Sequence, residues 1–293
     1  MKTLPFIKYL LLFLLFIHTT AFSNTNPDGD EKPKGTKTIM LISGAFVTSD
    51  GWGEWKTYLE SKGYTVIIPS WPYKDGTVDG LRTKHKDSIS SEYDLEKIVD
   101  YHAAIIDKLP EKPILIGHSF GGLIVQLLLQ RNKGAAGIAY HSVPAKGVFV
   151  FKYSFLKALS GPLGIFRSED TTFLMSFKQW QYAFTNGMPE AEQRAYYDKL
   201  VVPESRKVIR GALKKMGKID FKKEHAPLLF VSGSTDNIIP ASLNKKNYKK
   251  YKKYEPEGSV TDYKEFEGRN HLAMSQPNWQ EDVNYILSWI SKY

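Results

Sequence analysis

The run Pro113-Ile114-Leu115-Ile116-Gly117-His118-Ser119-Phe120-Gly121-Gly122-Leu123-Ile124-Val125-Gln126-Leu127-Leu128-Leu129 changes character twice. Ile114 to Ile116 is a short continuous apolar run after a proline, the pattern of a strand buried on both faces. From Ser119 to Arg131 the apolar spacing predicts a helix. Between the two lies Gly117-His118-Ser119-Phe120-Gly121. A Gly-x-Ser-x-Gly pentapeptide alone is weak evidence, but here a strand leads in and a helix leads out, which is the context of a nucleophile elbow. Gly117 and Gly121 let the backbone turn sharply and the helix pack close, forcing Ser119 into a strained conformation with its hydroxyl above the sheet. The helix N-terminus beneath offers free N–H groups to a developing negative charge.

Working outward, apolar runs alternate with helical patterns. Thr38 to Ile42 reads as a strand, Gly53 to Lys62 as a helix closed by Gly63, and Tyr64 to Ile68 as a second strand stopped by Pro69. Ser91 is placed to cap a helix from Glu92 to Leu109. Further strands are expected at Ala136 to His141, Leu228 to Ser232 and Asp262 to Phe266, and a last helix from Asn278 to Ser291. This alternation predicts an α/β fold with a mostly parallel sheet covered by helices on both faces. It breaks between Pro144 and Pro227, where the chain is aromatic-rich and without strand patterning. Residues 145–226 therefore read as an inserted helical cap on a core of residues 38–144 and 227–293.

A serine hydroxyl needs a base, and the base needs an orienting acid. In this architecture the order along the chain is Ser, then an acid, then His, on loops after successive strands. Asp236, four residues past the fifth strand, and His271, past the sixth, stand where that order requires them. The loop Ser43-Gly44-Ala45-Phe46 after the first strand should supply one oxyanion donor, the Ala45 N–H, and the elbow the other, the Phe120 N–H. Phe46, Trp71 and His141 are expected to line the pocket, and His118 to pack near the elbow. No His-x-x-x-His pair, carboxylate cluster at ligand spacing or Gly-rich phosphate loop occurs, so no metal and no cofactor are expected.

Together these residues resemble the α/β-hydrolase superfamily, specifically its esterase-like members with a helical cap. The resemblance implies an α/β-hydrolase fold, a Ser119–Asp236–His271 triad, and a small-molecule ester as substrate. Two departures stand out. Ser43 occupies the place where many members carry the His of a His-Gly pair, and Pro69-Ser70-Trp71-Pro72 replaces a common Asp and Gly. Cofactor-free lyases and haloperoxidase-like perhydrolases keep similar triads on this fold, and a non-catalytic ligand-binding protein is a third reading, so the resemblance leaves the reaction open.

Residues 1–23 read as a secretory signal peptide. Lys2 and Lys8 precede the apolar run Tyr9 to Ile17, and Ala21-Phe22-Ser23 offers a cleavage site. The run falls short of the roughly 20 residues that span a bilayer, so no stable membrane span is expected after cleavage. Residues 24–37 read as a flexible N-terminus of the mature chain, and the product is expected to be periplasmic or secreted. With no cysteine in the chain, export brings no disulfides and stability must come from the core. The net charge is +9, concentrated at Arg206 to Lys223 and Lys245 to Lys253. Such clusters either attract anionic substrates, glycans or membrane surfaces or form solvated helix faces. No nucleic-acid reader motif accompanies them, so nucleic acid is not an expected partner.

Overall fold

The computed structural model describes residues 36–84 and 92–293. The expected signal peptide, most of the expected flexible N-terminus after it, and Ser91 lie outside the described residues. In chain order the elements are β1 (Thr38–Ile42), α1 (Gly53–Ser61), β2 (Thr65–Ile67), α2 (Val78–Thr83), α3 (Leu95–Ile106), β3 (Ile114–His118), α4 (Phe120–Gln130) and β4 (Ala136–Tyr140). An excursion follows, made of α5 (Tyr153–Leu163), β5 (Thr172–Phe173), α6 (Phe177–Ala183), α7 (Glu190–Leu200), β6 (Glu204–Ser205) and α8 (Arg206–Gly211). The chain then returns through β7 (Leu228–Gly233), α9 (Ala241–Tyr254), β8 (Thr261–Phe266) and α10 (Trp279–Ile290).

Six strands form one parallel sheet in the order β2-β1-β3-β4-β7-β8. β3, β4 and β7 are buried along their whole length, which requires cover on both faces and accounts for their unbroken apolar character. The register aligns Ile42 with Gly117, His118 with Tyr140, Tyr140 with Val231 and Gly233 with Phe266. The loops after β1, β3, β4, β7 and β8 therefore emerge side by side at one carboxyl edge, where ligands bind in open α/β sheets.

Two elements differ from expectation. α3 starts at Leu95, because the Asp94 carboxylate accepts from the Lys97 N–H at 2.9 Å and caps the helix there. The excursion between β4 and β7 is helix-rich but also holds a short antiparallel ribbon, β5 paired with β6. Strands of two residues are too short to show an alternating pattern, so the sequence hides them.

Candidate active site

Gly117 and Gly121 are dictated by packing. A Cβ on Gly117 would lie 2.1 Å from the Gly121 carbonyl oxygen, and one on Gly121 would lie 2.1 Å from that of Ile42. This close approach lets α4 start directly at the end of β3. Ser119 sits at the apex with φ 57° and ψ −116°, a left-handed backbone rare for a side-chain-bearing residue. Its hydroxyl donates to His271 Nε2 at 2.9 Å. On the other side of the ring, His271 Nδ1–H donates to Asp236 Oδ2 at 2.7 Å. All three side chains are buried.

Charge explains the direction of these bonds. Burial pushes the Asp236 carboxyl up, but His271 beside it and the hydrogen bond from His141 outweigh burial and hold it well below the usual carboxylate range. An ionised carboxylate only accepts, so the proton of His271 sits on Nδ1 and leaves Nε2 free to take one from Ser119. The His271 loop is anchored from below. Arg269 pairs with the buried Asp282 of α10 at 3.0 Å, and the Leu272 N–H donates to the Phe184 carbonyl at 3.0 Å. The Phe184 ring stands edge-on to the imidazole, 4.6 Å away.

Two further histidines join the cluster. His118 Nε2–H donates to the His271 carbonyl at 2.7 Å. Burial first, then the neighbouring His271 and His141, holds His118 well below the ordinary histidine range, so it is neutral. His141 Nδ1–H donates to Asp236 Oδ2 at 2.8 Å, the same oxygen that His271 uses. Position after β4 marked His141 as near the site, but nothing in the sequence revealed that it shares the acid. His141, Asp236 and His271 also form a group of possible metal donors among the described residues. Their contacts of 2.7 and 2.8 Å are each spanned by an Nδ1 proton, whereas an ion would need deprotonated nitrogens about 2.0–2.1 Å from itself. The arrangement fits protons rather than a metal.

In front of Ser119 opens an apolar cavity. Ala45, Phe46, Ser119, Phe120, Phe184 and Ile239 are among its lining residues, as are Val148, Phe155 and the solvent-exposed Phe149 and Leu213. The Ala45 and Phe120 N–H groups donate to no protein acceptor among the described residues. Phe46 lines the cavity. Trp71 and His141 do not, which corrects the expectation for both. Trp71 is buried beneath the Lys74 ammonium, 3.9 Å from its ring, with its edge toward Phe120. His141 is turned toward Asp236. Ser43, in the place of the common histidine, leaves its Oγ without a protein partner, as are Trp52 Nε1 and His118 Nδ1 beside the same small void.

Sequence reasoning missed Glu204 and Lys74. The Glu204 carboxylate is buried, accepts from the Phe46 N–H at 3.2 Å and pairs with Lys74 Nζ at 2.5 Å. It also accepts from the Tyr73 hydroxyl. Lys74 Nζ donates in turn to the Gly44 carbonyl at 3.1 Å. Residues so distant along the chain carry no shared motif; their only signal is three polar residues that the fold buries together.

Known structures share the fold over most of this chain. A monoacylglycerol lipase from Paleococcus ferrophilus is 22% identical with a TM-score of 0.62, covering 88% of this chain and 96% of that one. An extracellular alpha/beta-hydrolase from a Paenibacillus species is 20% identical with a TM-score of 0.63, covering 86% and 98%. A methylesterase from Arabidopsis is 17% identical with a TM-score of 0.61, covering 87% and 99%. At these identities the likeness is one of fold. No curated protein matches the chain significantly. The sequence profile of the alpha/beta hydrolase family matches residues 39–282, from β1 into α10 and through every element that builds the carboxyl-edge cluster, and the chain belongs to that family.

Proposed function

We propose that the protein is a carboxylic ester hydrolase working through an acyl-enzyme on Ser119. His271 Nε2 takes the Ser119 proton as Oγ attacks the acyl carbon, and returns it to the departing alkoxide. Asp236 holds the imidazole tautomer and stabilises the imidazolium. The carbonyl oxygen becomes an oxyanion between the Ala45 and Phe120 N–H groups, which are free to receive it. Water activated by His271 then attacks the acyl carbon and releases the acid, restoring Ser119. The cavity accepts the acyl or aryl part, with residues 145–226 acting as its cap. The observation that carries this reading is the unbroken chain from Ser119 Oγ through His271 to an ionised Asp236, open to an apolar cavity. The lipase and methylesterase among the structural neighbours support it as analogies.

The test is Ser119→Ala on a panel of nitrophenyl esters of increasing acyl length, run beside cyanohydrins and peroxide with acetate. Turnover of the esters should fall by about 10⁴-fold or more. A fluorophosphonate should label the native chain and not the variant. Undiminished ester turnover in the variant, or turnover of the lyase or perhydrolase substrates alone, overturns the proposal. We further propose export with removal of residues 1–23; N-terminal sequencing of the exported product should begin at Asn24.

A further inference from the structure

Large apolar side chains exposed to solvent are concentrated on one part of this molecule. Phe149, Phe151, Tyr153, Leu156, Ile165 and Phe166 all belong to the segment around α5, and Leu213 follows α8. Elsewhere among the described residues only Tyr254 and Tyr293 are comparable. Phe151 is 92% exposed and Ile165 77%, and Phe166 is fully exposed. Folding does not account for side chains left so open, and contiguous exposed apolar surface marks an interaction site.

At Phe149, Phe151 and Leu213 this exposed surface adjoins the cavity. Phe151 stands edge-on to Phe149 with ring centres 4.8 Å apart, and Phe149 packs on Phe155 at 5.8 Å. Phe149, Phe155 and Leu213 are themselves cavity walls. The route from Ser119 therefore reaches the surface inside the patch. The chain segments that carry it are basic. Residues 145–168 carry Lys146, Lys152, Lys157 and Arg167 and no Asp or Glu. α9, rich in lysine and also without an acid, reaches the same rim, where Lys246 Nζ donates to the Phe149 carbonyl at 2.7 Å. The nearest acids along the chain are Glu169, paired with Lys214, and the exposed Asp170 beside it.

We propose that this face docks on an anionic lipid surface, with the exposed aromatic and aliphatic side chains entering the acyl boundary and the lysines on the headgroups. Aromatic anchors ringed by Lys and Arg are the composition of a peripheral membrane site. A protein partner fits less well, because a surface seated on the patch would seal the cavity. A lipid surface leaves it continuous with the acyl layer, so an ester with an apolar chain passes along the Phe149–Phe155 wall to Ser119. Docking itself rests on exposure and charge; the delivery of an ester rests on the hydrolase reading above.

Sedimentation with phosphatidylglycerol vesicles, with phosphatidylcholine vesicles as the comparison, tests it. The Ser119→Ala chain is used so that binding is read without turnover. It should bind the anionic vesicles at least tenfold more tightly than the zwitterionic ones, and lose that preference in high salt. In the same background Phe151→Ser/Phe166→Ser should bind at least tenfold more weakly, with unchanged thermal unfolding. The apolar 9–17 run is common to both chains, so their difference reports the patch alone. Equal vesicle binding by the two chains overturns docking, as does no binding, or a dimer in solution that the double variant dissolves. Vesicle binding by a protein whose Ser119 resists a fluorophosphonate would leave docking standing and fell the hydrolase reading instead.

Discussion

Asp236 accepts hydrogen bonds from four donors and so does two jobs. Its Oδ1 takes the N–H groups of Ile238 and Ile239, at 3.0 and 2.7 Å, closing the turn after β7. Its Oδ2 takes both His271 and His141. His141 reaches it from a left-handed backbone with φ 49°, and its ring needs the bare Gly233, where a Cβ would come within 2.6 Å of Cε1. His141 thus tethers the oxygen that orients His271. His141→Leu removes that tether, and kcat should fall between tenfold and a hundredfold with KM nearly unchanged. His141→Asn keeps an N–H donor and tolerates the left-handed backbone, and should retain most of the turnover; steady-state kinetics on a soluble ester separates the two. At this scale the sequence shows where a residue stands on a strand end, which places Ser119, Asp236 and His271. It does not show which way a side chain turns. His141 and Trp71 have pocket-facing positions by number, yet one bends to the acid and the other lies under Lys74.

Helix α3 carries its apolar face at the three- and four-residue spacing visible in the sequence, and His102 falls on that face. Its Nδ1–H donates to the Ile98 carbonyl at 2.7 Å and its Nε2 has no protein partner. Burial, only partly offset by that bond, lowers its pKa to about 4. The sign follows directly. Between the ordinary value near 6.5 and about 4, the unfolded chain binds a proton that the folded chain refuses. Stability is therefore fully present above about pH 6.5 and declines as the pH falls, by about 2 kcal/mol at pH 5. His102→Leu, similar in volume and unable to ionise, should lose less stability than the native chain between pH 7.5 and 5, as urea unfolding at the two pH values will show. Long elements like α3 and α4, and strands buried on both faces, are legible because burial imposes a period or an unbroken run. The ribbon of β5 and β6 is not, because its position comes from contacts made across the chain. Asp94 and Ser91 are both good caps, and local chemistry alone does not choose between them.

Across the whole molecule, the excursion between β4 and β7 is tied to the loop after β1. The Thr48 N–H donates to the Leu200 carbonyl at 3.1 Å and the Val202 N–H to that of Phe46 at 2.8 Å. Glu204 completes the tie through Phe46 and Lys74. Burial pushes the Lys74 ammonium down and Glu204 alone opposes it, while the Tyr73 phenol is pushed well up by burial and then by the same carboxylate. Phe46 has φ 69°, so the loop that presents the Ala45 N–H is strained and held by this pair. Removing one partner of a buried ion pair strands the other charge, at a cost of about 3–5 kcal/mol, whereas removing both is often nearly neutral. Lys74→Met and Glu204→Gln should each lower the unfolding free energy by that amount. Each should also lower kcat about tenfold, as the Ala45 N–H drifts from the place of the oxyanion. In the double variant Lys74→Met/Glu204→Gln no charge is stranded and an amide oxygen still accepts the Phe46 N–H, so stability and kcat should recover together. Single variants that lose stability but turn over normally well below their unfolding temperature would show that the pair merely fills the interior. Joint loss and joint recovery would show that the excursion holds the oxyanion loop in its working shape.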